Sequence, residues 1–250
     1  PLADGACNGF THVNKFGRVL NYGTSIIDVT DLPTPAVYTW LTSPVQLEAI
    51  SSSTDDVATT GTGARTILVQ GLGANFEEVE ATINMNGTSA STATTQTFLR
   101  VHRAYVVTSG AYGKTTTGPH VGNITIRTSG AGATHIYLNA ATAPVGQSLV
   151  ARYTIPSGKT GYLVHANFTA AGNKQSNFYL WKRENADIVT APFSPKRIIE
   201  TFSGVISFLP RQWHIPIRLP EKTDIWASVI GDGTGSSASV AFDIVMADNT

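Results

Sequence analysis

Ser148–Thr169, SLVARYTIPSGKTGYLVHANFT, is the stretch that decides the fold class. Leu149, Ala151, Tyr153 and Ile155 fall on one side of an extended chain, and Val150, Arg152 and Thr154 on the other. Beyond Pro156-Ser157-Gly158, Tyr162, Val164, Ala166 and Phe168 alternate with Leu163, His165, Asn167 and Thr169. A period of two marks strands with one buried face. Pro fixes φ for a turn and Gly supplies positive φ. The stretch therefore predicts one long β-hairpin.

The same pattern extends in both directions. Downstream it predicts strands over Ser176–Arg183, Arg197–Phe208, Arg211–Leu219, Asp224–Ile230 and Ser237–Ala247. Trp213, Ile215, Ile217 and Leu219 alternate with His214, Pro216 and Arg218, and a Pro inside a strand places it at a sheet edge. Val240, Phe242, Ile244 and Met246 point to a core while Ser239, Ala241 and Asp243 point away. Upstream lie Ser25–Val29, Ala36–Leu41, Val45–Ile50, the pair Arg65–Val69 and Glu77–Met85, Thr97–Thr108, Asn123–Thr128 and His135–Leu138. Asn86-Gly87 is a hairpin-turn signal, because a type I′ turn needs positive φ at both central residues. No apolar stripe of period 3.6 survives, so helix is expected in no more than roughly a tenth of residues.

Strands spaced this closely, with Gly- and Pro-rich turns between them, predict an all-β protein: one or two β-sandwiches of jelly-roll type with an extended N-terminal arm. Residues 1–24 form the arm, 25–130 one sandwich and 131–250 a second, divided at Ser129-Gly130-Ala131-Gly132. The two halves also read as one continuous unit.

Composition excludes several functions. Of 250 residues, 42% are hydrophobic and only 14% charged, against about 25% charged in ordinary domains. Lys+Arg and Asp+Glu are both 17, so no global field draws the chain to nucleic acid or to an anionic membrane. No apolar run approaches the roughly 20 residues that span a bilayer, and no leader-like pattern opens the sequence. One cysteine, Cys7, leaves no internal disulfide and reads as an incidental thiol.

Motifs of catalysis are expected to be absent. Gly158-Lys159-Thr160 and Gly113-Lys114-Thr115 carry the end of a phosphate-binding loop, but Tyr153 and Thr108 stand where its first Gly belongs. There is no G-x-S-x-G elbow and no H-E-x-x-H. His12, His102, His120, His135, His165 and His214 are scattered, without metal-ligand spacing. Asp55, Asp56, Glu77, Glu78 and Glu80 lack the spacing of a calcium loop and read as solvated polar positions. No cofactor, metal or enzymatic activity is expected.

Aromatic residues carry what functional signal remains. Phe10, Phe16 and Tyr22 sit in a Gly- and Asn-rich segment without clean period, and read either as a frayed terminus or as an arm docking on a neighbour. Tyr179 and Trp181 fall opposite Phe178 and Leu180, and Trp226 falls opposite Ile225 and Ala227. Two apolar faces on one strand imply a strand buried on both sides, a face covered by another subunit, or a platform for glycan. These six are the candidate interface residues.

The wording of Gly61–Thr88 (GTGARTILVQGLGANFEEVEATINMNGT), Gly122–Arg127 (GNITIR), Gly146–Leu163 (GQSLVARYTIPSGKTGYL) and Leu219–Val229 (LPEKTDIWASV) resembles a family of structural proteins of tailed phages of marine bacteria and cyanobacteria. The resemblance spans roughly residues 50–250 and leaves the N-terminal segment unmatched. It implies a virion component without assigned catalysis, and no functional residue is carried over from it. The expectation is a head decoration or cement protein, assembled in the host cytoplasm into the virion. Its partners would be copies of itself and other virion proteins, major capsid or tail. A tail or fibre-base component, or a module binding host glycan, is the alternative.

Overall fold

The computed structural model describes residues 7–112, 118–140, 145–171 and 174–249. Among them fifteen strands and no helix are present. The first eight are β1 (Phe10–Tyr22), β2 (Ile27–Asp28), β3 (Leu47–Ser51), β4 (Ala64–Leu72), β5 (Glu78–Asn84), β6 (Arg100–Ser109), β7 (Ile124–Thr128) and β8 (Thr134–Leu138). The rest are β9 (Arg152–Thr154), β10 (Lys159–Ala171), β11 (Ser176–Arg183), β12 (Arg197–Val205), β13 (Phe208–Leu219), β14 (Asp224–Gly231) and β15 (Ser236–Asp248). The protein is all-β, built of antiparallel sheets of the sandwich type. No helix of the described residues is long and apolar enough to cross a membrane.

The chain forms two compact units. One comprises Pro1–Thr30, Thr34–Val37 and Val150–Thr250, the other Asp31–Pro33 and Tyr38–Leu149. The division thus differs from the one expected at Ser129–Gly132. That Gly-rich run is the tight turn joining β7 to β8, with Gly130 at φ 82° and Ala131 at φ 63°.

In the first unit one sheet has the order β1-β15-β10-β13. The facing sheet runs β12-β11-β14, and the far side of β14 is shared by the short strands β2 and β9. Leu163, Phe168, Phe242 and Ile244 of one sheet and Phe178, Leu180, Ile225 and Val229 of the other are fully buried between them. The Phe168 ring lies 5.4 Å from that of Phe178, centroid to centroid. This is a sandwich in which alternate residues of both sheets fill one core.

The segment expected to be an arm is, from Phe10 onward, strand β1, paired with β15 from Phe10↔Ala247 to Tyr22↔Ser236. Its glycine has a packing role. A Cβ on Gly17 would come within 2.2 Å of the Ala151 nitrogen and 2.4 Å of the Val29 oxygen, so only glycine admits this approach. The apolar period breaks because the register shifts between Val19 and Tyr22, where Asn21 adopts φ 55°.

Ser148–Thr169 is not one hairpin. Its first arm contributes β9, which pairs with β14, and its second is β10, which pairs with β13 and β15 in the other sheet. Residues 150–156 are buried throughout, on both sides of the strand. Their polar members are paired inside: Thr154 Oγ1 donates to Asp224 Oδ1 at 2.7 Å, and Arg183 donates to Oδ2 of the same buried carboxylate.

In β10 the inward phase changes. Leu163 faces Ile244 and His165 faces Asp243, which leaves Val164 as a bulge residue. Hence Leu163, Ala166, Phe168 and Ala170 are buried, whereas Tyr162 and Val164 are not. An extra residue turns the rest of a strand over. The same irregularity lets β13 loop out between Gln212 and Ile217, leaving Ile215 86% exposed rather than in the core. Strand β13 is a sheet edge, as Pro216 predicts.

The second unit holds two three-stranded sheets, β3-β7-β8 and β5-β4-β6. Asn86-Gly87 turns the chain but makes no hairpin. Residues beyond it run back along β3, where Ser91 N donates to Ala49 O and Thr94 N to Leu47 O, each at 2.8 Å. Ala36–Leu41, expected as a strand, joins no sheet. Trp40 there covers the buried Arg100 guanidinium at 5.1 Å, and Phe76 lies 5.3 Å from it.

Glu48 ties β3 to the β7–β8 turn. Its carboxylate accepts Arg127 Nε at 2.8 Å and the N–H groups of Gly130 and Ala131 at 3.1 Å each. Burial alone would raise its pKa, but the two backbone donors and Arg127 together outweigh that and hold it below the ordinary range. A depressed folded pKa contributes stability that is fully present above the unfolded value, about 4.3, and is lost as pH falls through the folded value. Glu48→Gln should therefore cost stability at pH 7 and flatten the decline below about pH 4.5. Urea midpoints across pH 3–7 check it; parallel curves for the two proteins would refute this account.

Candidate functional site

The outward face of β11 and its neighbours gathers the aromatic candidates. Tyr179 and Trp181 are two residues apart on β11, hence on one side, and Trp226 lies directly across from Trp181 on β14. Their rings form a ladder: Tyr179 and Trp181 stack at 5.7 Å and 25°, Trp181 and Trp226 at 6.3 Å and 18°. Lys196 Nζ caps the Trp181 ring at 4.6 Å, and Ile198 is its cross-strand neighbour on β12. Trp226 is buried and Tyr179 and Trp181 are partly covered, so the ladder is not an open stacking platform.

Charged side chains gather where β11 ends. Lys182 binds Glu184 at 2.7 Å. That hydrogen bond holds the Glu184 carboxyl below its usual range; burial opposes it, and the charges of Lys182, Arg197 and Arg218 reinforce it. Three cations, Lys182, Arg197 and Arg218, thus act on one carboxylate, on a chain whose net charge is zero.

Exposed apolar side chains are concentrated in the same region of sequence. Of the fourteen large ones among the described residues, seven lie between Ile188 and Ile215. Ile188, Val189 and Phe193 belong to the β11–β12 connection and Ile198 to β12. Ile206 lies in the β12–β13 turn, and Phe208 and Ile215 on β13. Strands β12 and β13 are the edges of their two sheets. Edge strands of this kind carry unpaired backbone groups beside their side chains. The concentration is not legible as a motif, since each of these residues would also fit a core strand.

Phe10, Phe16 and Tyr22 do not join this face. Phe10 is 46% exposed and Phe16 half-buried, both on β1, at the other edge of its sheet. Tyr22 turns inward past the register shift, and its hydroxyl lies 2.6 Å from Ser176 Oγ in the core. Burial chiefly raises the Tyr22 pKa. Tyr22 accordingly packs the interior of its own unit, whereas Trp226 is buried within the outward ladder.

Gly158-Lys159-Thr160 is a turn whose groups are engaged. Gly158 N donates to Glu221, Lys159 pairs with Asp248, and Thr160 Oγ1 donates to Asn249. A carboxylate already occupies the N–H that a phosphate would need. Gly113-Lys114-Thr115 lies outside the described residues. Two dispersed histidines meet across three strands: Asp243 on β15 lies 3.2 Å from His12 Nε2 and 3.3 Å from His165 Nδ1. Among the described residues no group of three His, Cys, Asp or Glu is placed to hold a metal ion. Asp56 stands apart from the glutamates, fully buried in a loop.

No family model matches the chain, and no curated protein matches it. Among solved structures it is similar to that of infectious bursal disease virus, Gt strain, at 9% identity and a TM-score of 0.21, over 97% of this chain and 78% of that one. It is likewise similar to the VP2 subviral particle of infectious bursal disease virus, at 9% identity and a TM-score of 0.25, over 96% and 72%. Likeness at these TM-scores bears on neither function nor assembly.

Proposed function

We propose that this chain is a non-enzymatic structural component of a tailed-phage virion that decorates or cements the head shell. The observation that carries the reading is the run of exposed apolar side chains from Ile188 to Ile215, on the edge strands β12 and β13 and in the segments beside them. Apolar side chains at open sheet edges are surface that a neighbouring subunit can bury. The resemblance of Gly61–Thr88, Gly146–Leu163 and Leu219–Val229 to structural proteins of tailed phages supports this class of particle. Its partners on this reading are copies of itself and the major capsid protein, and its place is the virion.

Assembly through these strands makes a direct prediction. Replacing Ile198 and Phe208, 48% and 58% exposed, by Ser removes two apolar contacts of about 1.5–3 kcal/mol each if a neighbour buries them. Self-association or particle binding should fall by tenfold or more, about 1.4 kcal/mol, with the melting temperature unchanged. Sedimentation velocity and co-sedimentation with particles measure both. Unchanged assembly rules out this surface as the interface. Copy number per particle, by quantitative mass spectrometry, then separates the placements: hundreds for a shell, about six to eighteen for a tail ring.

A further inference from the structure

Beyond that reading, and independent of it, the second unit contains an uncharged cleft of about 450 Å³, within the range of small-molecule sites. Three segments form it: residues 57–59 after β3, residues 84–86 at the end of β5, and residues 90–92. Backbone hydrogen bonds fix them. Ala58 N donates to Met85 O at 2.9 Å, Val57 bridges to Asn86, and Ser91 N donates to Ala49 O at 2.8 Å. The cleft is therefore preformed, and a ligand need not order it.

We infer that this cleft binds a neutral saccharide, one or two residues long. Its lining holds no ionic side chain, so a charged ligand would give up hydration without a counter-charge. The polar groups it does present are amides and hydroxyls. Asn84 and Thr92 are exposed and make no side-chain hydrogen bond within the chain, and the same holds for Thr59. Asn86 donates its amide N–H to Ala90 O at 3.0 Å, which orients that side chain and leaves Oδ1 as an acceptor. These amides and hydroxyls offer both donors and acceptors, as the hydroxyls of a sugar require. Val57, Ala58 and Ala90, each partly exposed, supply apolar surface for its C–H groups. With no aromatic wall the affinity is modest, a Kd of about 0.1–10 mM.

The test titrates the intact, isotope-labelled chain with chitobiose, mannobiose and lactose, and with a sulfated heparin disaccharide, following backbone amide shifts. The expected result is saturable shifts at residues 57–59, 84–86 and 90–92 for at least one neutral sugar. Asn84→Ala and Thr92→Val should each weaken that binding by about fivefold or more with melting temperature unchanged. No saturable shift up to about 20 mM, shifts confined to other surfaces, binding of the sulfated sugar alone, or full affinity in both variants would each overturn the inference.

Discussion

Asp56→Ala should cost about 3–5 kcal/mol. Asp56 is fully buried, and its carboxylate accepts four hydrogen bonds. Oδ1 takes the N–H groups of Ala64 at 2.8 Å and Val121 at 2.9 Å. Oδ2 takes Gly122 N at 2.8 Å and the hydroxyl of Ser51. One side chain thereby joins the loop after β3, the start of β4 and the segment entering β7. Alanine would leave the buried donors Ala64 N and Gly122 N, and the part-buried Val121 N, without an acceptor, and each unmet buried donor costs about 1–3 kcal/mol.

The surroundings cannot relax to cover the loss. Gly63 lies so close that a Cβ there would fall 2.1 Å from Asp56 Oδ1. His120, also fully buried, holds the same segment through Nδ1, which donates to Gly122 O at 2.9 Å because the carbonyl can only accept. Asp56→Asn should fail almost as badly, since its NH₂ would face an N–H donor. Thermal melts should show a fall of roughly 10 °C or more. A shift within about 2 °C would mean that solvent or another acceptor takes over the cage.

Removing residues 1–22 should abolish the cooperative fold of the first unit. Strand β1 pairs with β15 along its length, places Val19 and Tyr22 in the core, and packs Val13 against it. The two buried side chains alone stand for about 3–6 kcal/mol, comparable to the whole stability of a typical domain. Without β1, the β15 ladder loses its partner and Ser176 loses the Tyr22 hydroxyl. The truncated chain should lose near-ultraviolet ellipticity and its sharp melting transition. A truncation that melts cooperatively near the full-length temperature would instead show β1 to be a dispensable appendage.

Several features were legible in the sequence for clear reasons. The inward set Val240, Phe242, Ile244 and Met246 on β15 is an unbroken alternation, and all four are buried. The pairing of β4 with β5 follows from two adjacent strands joined by a short Gly-containing loop. Pro216 marks an edge strand because a lost N–H is tolerated only there. In the candidate face, Tyr179, Trp181 and Trp226 were recognisable as lying off the core phase, since opposite sides of a strand are distinguished by parity alone.

Other features depended on contacts between distant residues. The alternation in Ser148–Thr169 is compatible with a hairpin and with two strands in opposite sheets. Only the competing partners β14 and β15 decide between them. The bulge at Val164 and the register shift at Asn21 each invert a phase, and neither leaves a local mark, because a bulge is fixed by the neighbouring strand's register. The fold of β1 was hidden for a related reason: Gly17 reads as a break in the chain, yet serves a backbone approach to Val29 and Ala151, more than a hundred residues apart. Residue patterning was enough for the all-β class and for the lack of recognisable catalytic motifs in the sequence. Tertiary structure alone decided which strand pairs with which, where Asp56 finds its four donors, and which apolar side chains remain outside the core, because those depend on non-local hydrogen bonds and packing.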